Sequence, residues 1–422
     1  MKVLFLNQCF HPDVVSTAQH VTDLAIYLAA SGDEVTVLTS ARGYDNPEAR
    51  YPKRERWNNI EIIRISQTGF GKKTKLRRAL DFGSYLVRCA FRLLLLPRFD
   101  VVVALTSPPL ISFLASLFVR LKGGSYVFWV MDLNPDEAIA AGWLKERAWP
   151  AKILGALLNH SLNRARKVVV LDRFMREKVR AKGVPAEKIA VIPPWSHDKS
   201  IGYDKLGRNL FRAEHGLASK FVVMYSGNHS PCHPLDTVLE AARQLASDSA
   251  ISFCFVGGGS EMAKVKEFAG HHSLDNVVCL PYQPLEHLSA SLSAADLHLV
   301  VMGDAFVGLV HPCKIYNIIE LGIPFLYVGP DRGHILDLAS TLSSRYLSHL
   351  VRHGNVDGVV ESIRTAARSG VIRCADAAGI ASNRFSSYTL MPEMVRALRS
   401  ATTSEVHGGE PSESIAHERA SI

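Results

Sequence analysis

The loop between Gly227 and His233 contains the first set of residues whose types suggest chemistry. The run VVMYS before Gly227 has the composition of a buried strand, and the residues after it predict a helix that begins near Leu235. A helix start presents unpaired N–H groups and partial positive charge, which favour anions. Asn228 and His229 in the loop, together with His233, add possible hydrogen-bond donors. The loop therefore predicts a phosphate site, although a plain strand-to-helix turn would also use the glycine.

A second candidate for binding the same anion is Lys314, three residues after His311 at a predicted helix start. A lysine in the first turn opposes the helix dipole, so an anionic ligand would explain it, while the alternative is a solvated surface lysine. Asn317 follows on the same face, where its amide could bond a ribose hydroxyl. Gly257 and Gly258 allow close backbone approach to a ligand, but they form no G-x-G-x-x-G motif.

Polar residues also follow apolar runs in the first half of the chain. Asp132 and Asn134 come after VFWVM, where a strand of a parallel sheet would end. Asp132 is the better candidate for a substrate contact, whereas Asp136 and Glu137 fit a capping role in the following turn. The loop after the first apolar run supplies candidate acceptor-binding residues, which are His11, Asp13, Ser16 and Thr17.

The elements that must position these residues alternate regularly along the chain. From Met1 to about Trp195, short β-branched runs alternate with helical segments, and the same alternation restarts at Phe221. This pattern predicts the α/β class, with two Rossmann-like, doubly wound parallel sheets whose carboxyl edges face each other across a cleft. We expect domains at 1–195 and 219–384, a linker at 196–218, a closing helix at 385–400 and a disordered tail at 401–422.

Composition agrees with two soluble cores. The chain has 422 residues, of which 47% are hydrophobic, which suits two domains. Seven scattered cysteines without a C-x-x-C pair indicate reduced thiols in a cytoplasmic protein. The sequence contains no Asp-x-Asp motif and no Cys/His cluster, so we expect no metal or other cofactor. Residues 101–121 are long and apolar enough to suggest a membrane span, but Pro108 and Pro109 divide them into a strand and a short helix.

The positive charge is concentrated in one segment. Eight basic residues and one acidic residue lie between Gly71 and Arg98, while the chain as a whole carries +8. The rest is therefore nearly neutral, which argues against a nucleic-acid partner. Residues 72–98 place these cations beside apolar residues, as a segment lying on an anionic bilayer would. The alternative is a helix packed on the sheet with a solvated basic flank.

Seven segments, taken in order, resemble those of bacterial glycosyltransferases of family 4, which have the two-domain GT-B fold. They are NQCFHPDVVSTAQHVTDLA, TSPPLISFLA, WVMDLNPDEA, VVLDRFMREKVRAKGVPAEKIAVIP, YSGNHSPCHPLD, FVGGG and PCKIYNIIELGIP. The likeness is greatest to enzymes that build exopolysaccharide and O-antigen repeats. It implies transfer, with retention, from a UDP- or GDP-sugar held by the second domain to a saccharide or lipid-linked acceptor held by the first. It also implies a base and ribose pocket lined by Gly257, Gly258, Tyr282 and Gln283. Together with the scattered cysteines and the basic segment, we expect a cytoplasmic enzyme, peripheral on the inner face of the plasma membrane if that segment binds lipid.

The sequence departs from that family at its charged positions. By position, the family's arginine and lysine in the Gly227 loop fall on Asn228 and His233, and its paired glutamates fall on Leu309 and Asn317. Either the chain has lost transfer activity or it grips diphosphate differently. We favour the second interpretation, because a decayed site would have little use for a helix-start lysine and two histidines. The diphosphate would then be bound by His229, His233 and Lys314. Gly308 and the N–H groups that follow it, those of Leu309 and Val310, would complete this site.

The resemblance leads to a specific mechanistic expectation. The β-phosphate leaves as the glycosidic bond opens, and the helix start after Gly227, His233 and Lys314 stabilise its growing charge. Asp132 orients a donor or acceptor hydroxyl. We also expect donor binding to weaken as the histidines lose their protons. Two alternatives remain, a nucleotide-sugar epimerase, which would need more carboxylates near Asp132, and a non-catalytic nucleotide-sugar binding protein.

Overall fold

A computed structural model describes residues 1–44, 48–70, 75–196, 201–342, 347–370, 373–374, 379 and 383–402, with the backbone alone at 75, 76, 78, 347 and 348. Lys72 and Lys73 of the basic segment, residues 197–200 of the predicted linker and residues 403–422 of the predicted tail lie outside this description. The domain boundaries stay predictions.

The first half of the chain forms a sheet covered by helices. Its strands are β1 (Lys2–Leu6), β2 (Glu34–Ser40), β3 (Arg54–Trp57), β4 (Ile60–Ile65), β5 (Val101–Ala104), β6 (Ser125–Trp129), β7 (Lys167–Val170) and β8 (Ile189–Val191). Its helices are α1 (Ser16–Ala30), α2 (Lys75–Leu94), α3 (Ile111–Lys122), α4 (Asp136–Ala140), α5 (Trp149–Arg164) and α6 (Arg173–Ala181). The strand order is β3-β4-β2-β1-β5-β6-β7-β8, and only β3 is antiparallel to its neighbour.

The second half repeats the plan with six parallel strands in the order β11-β10-β9-β12-β13-β14. These strands are β9 (Phe221–Asn228), β10 (Ile251–Gly258), β11 (Val277–Leu280), β12 (Leu297–Val301), β13 (Phe325–Val328) and β14 (Leu347–Val351). The helices are α7 (Lys205–Glu214), α8 (Asp236–Gln244), α9 (Met262–His271), α10 (Leu288–Ser293), α11 (Lys314–Leu321), α12 (His334–Ala339), α13 (Val356–Ser369) and α14 (Ser387–Thr402).

The predicted class of two doubly wound parallel sheets is confirmed. The central strands form because their apolar runs are covered on both faces, as in β5, where all four residues are buried. Residues 101–121 divide at the prolines into β5 and α3, as predicted, and no helix in the described part of the chain is long and apolar enough to cross a bilayer. The edge strands β3 and β14 were not predicted from the sequence.

Two connections lie where the sequence suggested a linker and a closing helix. Within residues 196–218 the chain forms α7, whose Arg208 and Arg212 both pair with the buried Asp296 of the second half. The last described helix, α14, returns to the first sheet, where Ser125 Oγ donates a hydrogen bond to the Ala401 carbonyl at 2.7 Å. The buried apolar cluster of the first half continues through α14 into α11, so the two halves share a core.

Candidate functional site

The ends of β9 and β10 form the floor of the predicted phosphate site. Strand β9 continues through Gly227 to Asn228, slightly beyond the predicted strand end, and Gly227 has a φ of +130° that favours glycine. A Cβ atom on Gly257 would overlap the Gly227 carbonyl oxygen, so the two strand ends approach as closely as glycine permits. Helix α8 begins at Asp236, one residue after the predicted start. The first turn of α8 therefore follows the end of β9 in the sequence after a short loop, residues 229–235.

Lys314 lies at the first position of α11, as predicted, and reaches the same place. Its Nζ atom is 3.4 Å from the centroid of the Tyr225 ring, and a Cβ atom built on Gly227 would be 3.4 Å from Nζ. This buried nitrogen has no hydrogen-bond partner among the described residues. Burial lowers the pKa of Lys314 well below its usual value. An anion beside Gly227 would supply the missing acceptor.

The two histidines of the loop are both close to Lys314, but in the neutral form. His229 Nδ1 donates to the Gly227 carbonyl at 3.0 Å, and His233 Nδ1 donates to the Val301 carbonyl at 2.7 Å. Burial, followed by the charge of Lys314, lowers the pKa of His229 to about 4 and that of His233 to about 3. The expectation that these histidines are protonated donors near neutral pH in the empty site is therefore wrong, since each Nε2 is an acceptor there.

The amides after Gly308 are occupied in a tight turn. Leu309 N donates to the Phe306 carbonyl at 2.9 Å, and Val310 N approaches the same oxygen at 3.3 Å. Gly308, with φ +74°, packs so closely on the backbone of Phe174 that a side chain would overlap it. These contacts correct the expectation that the Leu309 and Val310 N–H groups grip diphosphate. These amides instead close the turn itself, while the packing of Gly308 on Phe174 holds the turn against the first half of the chain.

Acidic residues of the first half approach Cys232 and Cys313 of the second half, the latter being the residue before Lys314. Asp132 lies beyond the end of β6, and burial followed by the charge of Glu137 raises its pKa to about 8. Glu137 accepts hydrogen bonds from Asn134 Nδ2 at 2.8 Å and from the Cys232 thiol of the second half at 3.6 Å. Glu137 therefore belongs to the cleft, which corrects its assignment as a helix cap. Its spacing five residues after Asp132 was the signal available in the sequence.

The predicted acceptor loop is only partly directed at the cleft. The His11 ring stacks on Trp57 with centroids 4.0 Å apart, and the Asp13 carboxylate accepts from Tyr44 N at 3.0 Å, so both hold the loop in place. Ser16, by contrast, hydrogen-bonds Cys313, the residue before Lys314, while burial raises the pKa of the Cys313 thiol to about 12. Thr17 is half-buried in α1. Ser16 is thus the member of this set that the structure brings to Lys314.

The residues predicted to line a base and ribose pocket lie at the same edge of the second sheet. The ring of Tyr282 covers Gly258, and its hydroxyl donates to the Gly258 carbonyl at 3.5 Å. Gln283 Nε2 donates to the Pro281 carbonyl, and Asn317 is half-buried in α11. Tyr282 is 40% exposed, so its ring could stack with a planar base. The pocket assignment stays a prediction.

A group of four polar side chains joins the halves next to this site. His311 Nδ1 donates to Asp172 Oδ2 at 2.8 Å, His311 Nε2 is 2.8 Å from the Tyr316 hydroxyl, and that hydroxyl is 2.9 Å from His334 Nε2. The possible ligand atoms of Asp172, His311 and His334 lie within 4.8 Å of one another, so this cluster could hold a metal ion. They are already satisfied by hydrogen bonds. No pattern in the sequence connects these four residues.

The sequence of the chain is similar to those of known glycosyltransferases. Residues 17–195 match the family described as a glycosyl transferase 4-like domain. The chain is 27% identical over 382 residues to the putative colanic acid biosynthesis glycosyl transferase WcaI of Escherichia coli K12, covering 87% of this chain and 92% of that protein.

Two solved structures show the same architecture. Anabaena HepE in complex with UDP and glucose has a TM-score of 0.71 at 16% identity, over 95% of this chain and 100% of that one. WaaG, a glycosyltransferase involved in lipopolysaccharide biosynthesis, has a TM-score of 0.69 at 18% identity, over 94% of this chain and 99% of that one. The predicted GT-B fold is therefore confirmed.

Proposed function

We propose that this protein, a glycosyltransferase with the GT-B fold, transfers a sugar with retention from a UDP- or GDP-sugar to a saccharide or lipid-linked acceptor during cell-surface polysaccharide synthesis. The curated relative is named for colanic acid biosynthesis, and HepE was solved with UDP and glucose, which supports this donor and product class. In this proposal the second half holds the donor and the first half holds the acceptor, and no metal is required.

The observation that carries the proposal is the buried side-chain nitrogen of Lys314, which has no hydrogen-bond partner among the described residues. Charging this nitrogen without an acceptor is costly, and the Tyr225 ring compensates for that cost only in part. A diphosphate beside Gly227 would accept from Lys314 and from the first turn of α8. The absent arginine and glutamates of the family pattern are thus offset by a lysine held where the leaving phosphate would lie.

Groups of the second half, which holds the donor, stabilise the nucleotide as it leaves. As the bond between the sugar and the β-phosphate breaks, charge grows on the phosphate, and preorganised donors stabilise that charge most when water is excluded. Lys314 and the α8 start are such donors. His233 presents Nε2, so it assists only after taking a proton that the bound diphosphate favours. Asn317, Tyr282, Gln283, Gly257 and Gly258 would hold the ribose and base.

The acceptor half supplies groups that position a hydroxyl. With its pKa raised to about 8, Asp132 carries a proton at neutral pH and can donate a hydrogen bond to a sugar oxygen. Glu137 stands beside it and can accept from a hydroxyl. Asn134 and Ser16 complete a polar wall on this side of the cleft, so an acceptor sugar would lie between these residues and the donor.

Helices α2 and α3 carry a surface that suits binding to the membrane in which a lipid-linked acceptor would lie. Helix α2 packs Tyr85 and Cys89 into the core but leaves an apolar stripe exposed on its other side. Helices α2 and α3 contact each other, and Arg98, which follows α2, lies beside Gly123 at the end of α3; we call the exposed residues of this region the α2–α3 surface. Its exposed apolar residues are Leu80, Val87, Phe91, Leu94, Leu95, Leu117 and Leu121, and its exposed basic residues are Arg77, Arg88, Arg98, Arg120 and Lys122. Apolar residues flanked by cations suit an anionic bilayer, which would place the enzyme at the cytoplasmic face of the plasma membrane.

The decisive experiment for function is a donor and acceptor screen. The protein is incubated with a panel of nucleotide sugars, with and without lipid-linked saccharide acceptors, and free nucleotide and products are measured. We expect nucleotide release that depends on acceptor, and an anomeric configuration in the product that matches the donor. Conversion of the donor sugar without nucleotide release would identify an epimerase, and saturable binding without turnover of any donor would identify a binding protein.

A further inference from the structure

The chain of hydrogen bonds from Asp172 to His334 crosses the boundary between the halves. Asp172 follows β7 and caps α6, where its Oδ1 accepts from Met175 N at 2.8 Å. Its other oxygen, Oδ2, accepts from His311 of the second half. The carboxylate is thus fixed by its own helix and offers one oxygen to the opposite half. Such a contact forms only when the halves are as close as they are here.

The chain is buried and its donors and acceptors are matched. Asp172, His311 and Tyr316 are all buried. With the His311 proton on Nδ1, its Nε2 accepts from the Tyr316 hydroxyl, whose oxygen accepts from His334 Nε2. Burial raises the pKa of Asp172, but the hydrogen bonds that it accepts from His311 and from Met175 N help to bring the pKa below its usual value. The ionised carboxylate therefore fixes the orientation of the imidazole.

The segment that His311 anchors leads directly to Lys314. Just before it, the Leu309 carbonyl accepts from Leu133 N of the first half at 2.8 Å, and Gly308 lies against the backbone of Phe174. After it, Pro312 and Cys313 lead to the first residue of α11. The first half therefore holds residues 308–311 at three points, and a rigid, short connection transmits that placement to Lys314.

We infer that Asp172, acting through His311, is a positioning residue that places Lys314 beside Gly227 when the two halves close. This inference rests on the proposed function, because it assumes that Lys314 binds the donor diphosphate. Opening the halves breaks the Asp172–His311 bond and frees the segment that carries Lys314. The diphosphate site is then complete only when the two halves are closed. Departure of the nucleotide is thereby coupled to closure of the acceptor half onto the donor half.

Two substitutions test this coupling without removing a catalytic group. Asp172→Asn keeps an oxygen able to cap α6 but removes the charge that orients His311. Tyr316→Phe removes only the hydroxyl between the two histidines. Arg173→Ala is the matched control, since Arg173 also bridges the halves, with Nη2 3.0 Å from Asp337 Oδ1, but as an exposed ion pair. Exposed pairs contribute little to stability.

The readouts are kcat, acceptor KM and the thermal stabilisation by UDP and GDP, all measured on the full chain. Removing a donor from such a site costs about a hundredfold, so misplacing one should lower kcat by about tenfold. We expect that loss in Asp172→Asn and Tyr316→Phe, with weaker stabilisation by the nucleotide, an acceptor KM within about twofold of wild type, and wild-type behaviour in Arg173→Ala.

Other outcomes overturn the inference. Folded variants that keep the wild-type kcat, or an equal loss in Arg173→Ala, would mean that the contact only stabilises the closed interface. Should Asp172→Asn fail to fold, Tyr316→Phe decides by the same criteria, because it removes a single hydroxyl. A wild type that neither binds these nucleotides nor turns over any nucleotide sugar would refute the proposed function itself, and this inference with it.

Discussion

Asp132 is a residue of the cleft whose ionisation affects the stability of the protein. Its pKa is raised from 3.8 to about 8, first by burial and then by Glu137. An acid with a raised pKa binds its proton more tightly in the folded state, so this group makes the protein less stable as pH rises between those values. Asp132→Asn removes the penalty. We expect its melting temperature to exceed that of wild type by more at pH 8 than at pH 5, and an offset independent of pH would contradict this.

A second prediction at the scale of single residues concerns His233. Because its Nδ1 is committed to the Val301 carbonyl, only a protonated ring can donate Nε2–H to phosphate. We expect His233→Ala to lower nucleotide release by about tenfold or more, with His271→Ala, an exposed histidine at the end of α9, as the control. If His233→Ala turns over donor within about twofold of wild type, the phosphate role of this residue is wrong.

At the scale of elements, the close approach of β9 and β10 is a requirement of the site. Gly257 has φ +129° and no room for a Cβ atom next to the Gly227 carbonyl. We expect Gly257→Ala to push the strand ends apart, lowering both the melting temperature and the affinity for nucleotide. Gly270→Ala in α9 is the matched control, since nothing lies within 4 Å of its Cβ position. Equal nucleotide affinity in the two variants would contradict the account.

The sequence predicts the central elements well and the edges poorly, for a physical reason. Strands such as β5 are apolar throughout because both faces are covered, and that pattern is visible without a structure. The missed strand β3 has the sequence RERW and alternates exposed and half-buried residues, as an edge strand can. The position of Lys314 at a helix start was predictable from the sequence pattern, and the unfavourable helix dipole there suggested an anionic ligand, whereas its lack of a partner depends on what surrounds it.

Contacts between distant parts of the chain set the limit of sequence reasoning about the site. The neutral state of His229 and His233 follows from burial near Lys314, which lies some eighty positions away in the sequence. The Asp172–His311 bond joins residues 139 positions apart, and although Asp172 lies in one of the segments that resemble family 4, no sequence pattern links it to His311. In the same way, Glu137 acquires its role only because Cys232 approaches from the other half. Such pairings depend on how the two sheets dock.

At the scale of the whole molecule, the α2–α3 surface should determine how the enzyme meets its acceptor. Phe91 and Leu95 are 66% and 76% exposed and lie between the basic residues of that surface. We expect the double variant Phe91→Ser/Leu95→Ser to lose about tenfold or more in binding to anionic vesicles in flotation assays, because its apolar area no longer inserts.

The second half offers a matched control for this test. Leu206 and Leu210 of α7 are similarly exposed, at 71% and 63%, but lie outside the α2–α3 surface. Leu206→Ser/Leu210→Ser should therefore bind vesicles as wild type does. Wild-type binding that is the same with neutral and anionic lipid would contradict the membrane assignment, as would equal losses in the two double variants.

The central claim, that Lys314 binds the donor diphosphate, is tested most directly by calorimetric titration of wild type and Lys314→Met with UDP and GDP. Burial lowers the pKa of Lys314 in the empty site, and a bound diphosphate should raise it again. For the nucleotide that binds, we predict net proton uptake at pH 8 in buffers of different ionisation enthalpy, affinity that falls as pH rises, and at least a tenfold weaker Kd with less uptake in Lys314→Met. Equal affinity and equal proton uptake in the two proteins would contradict the account.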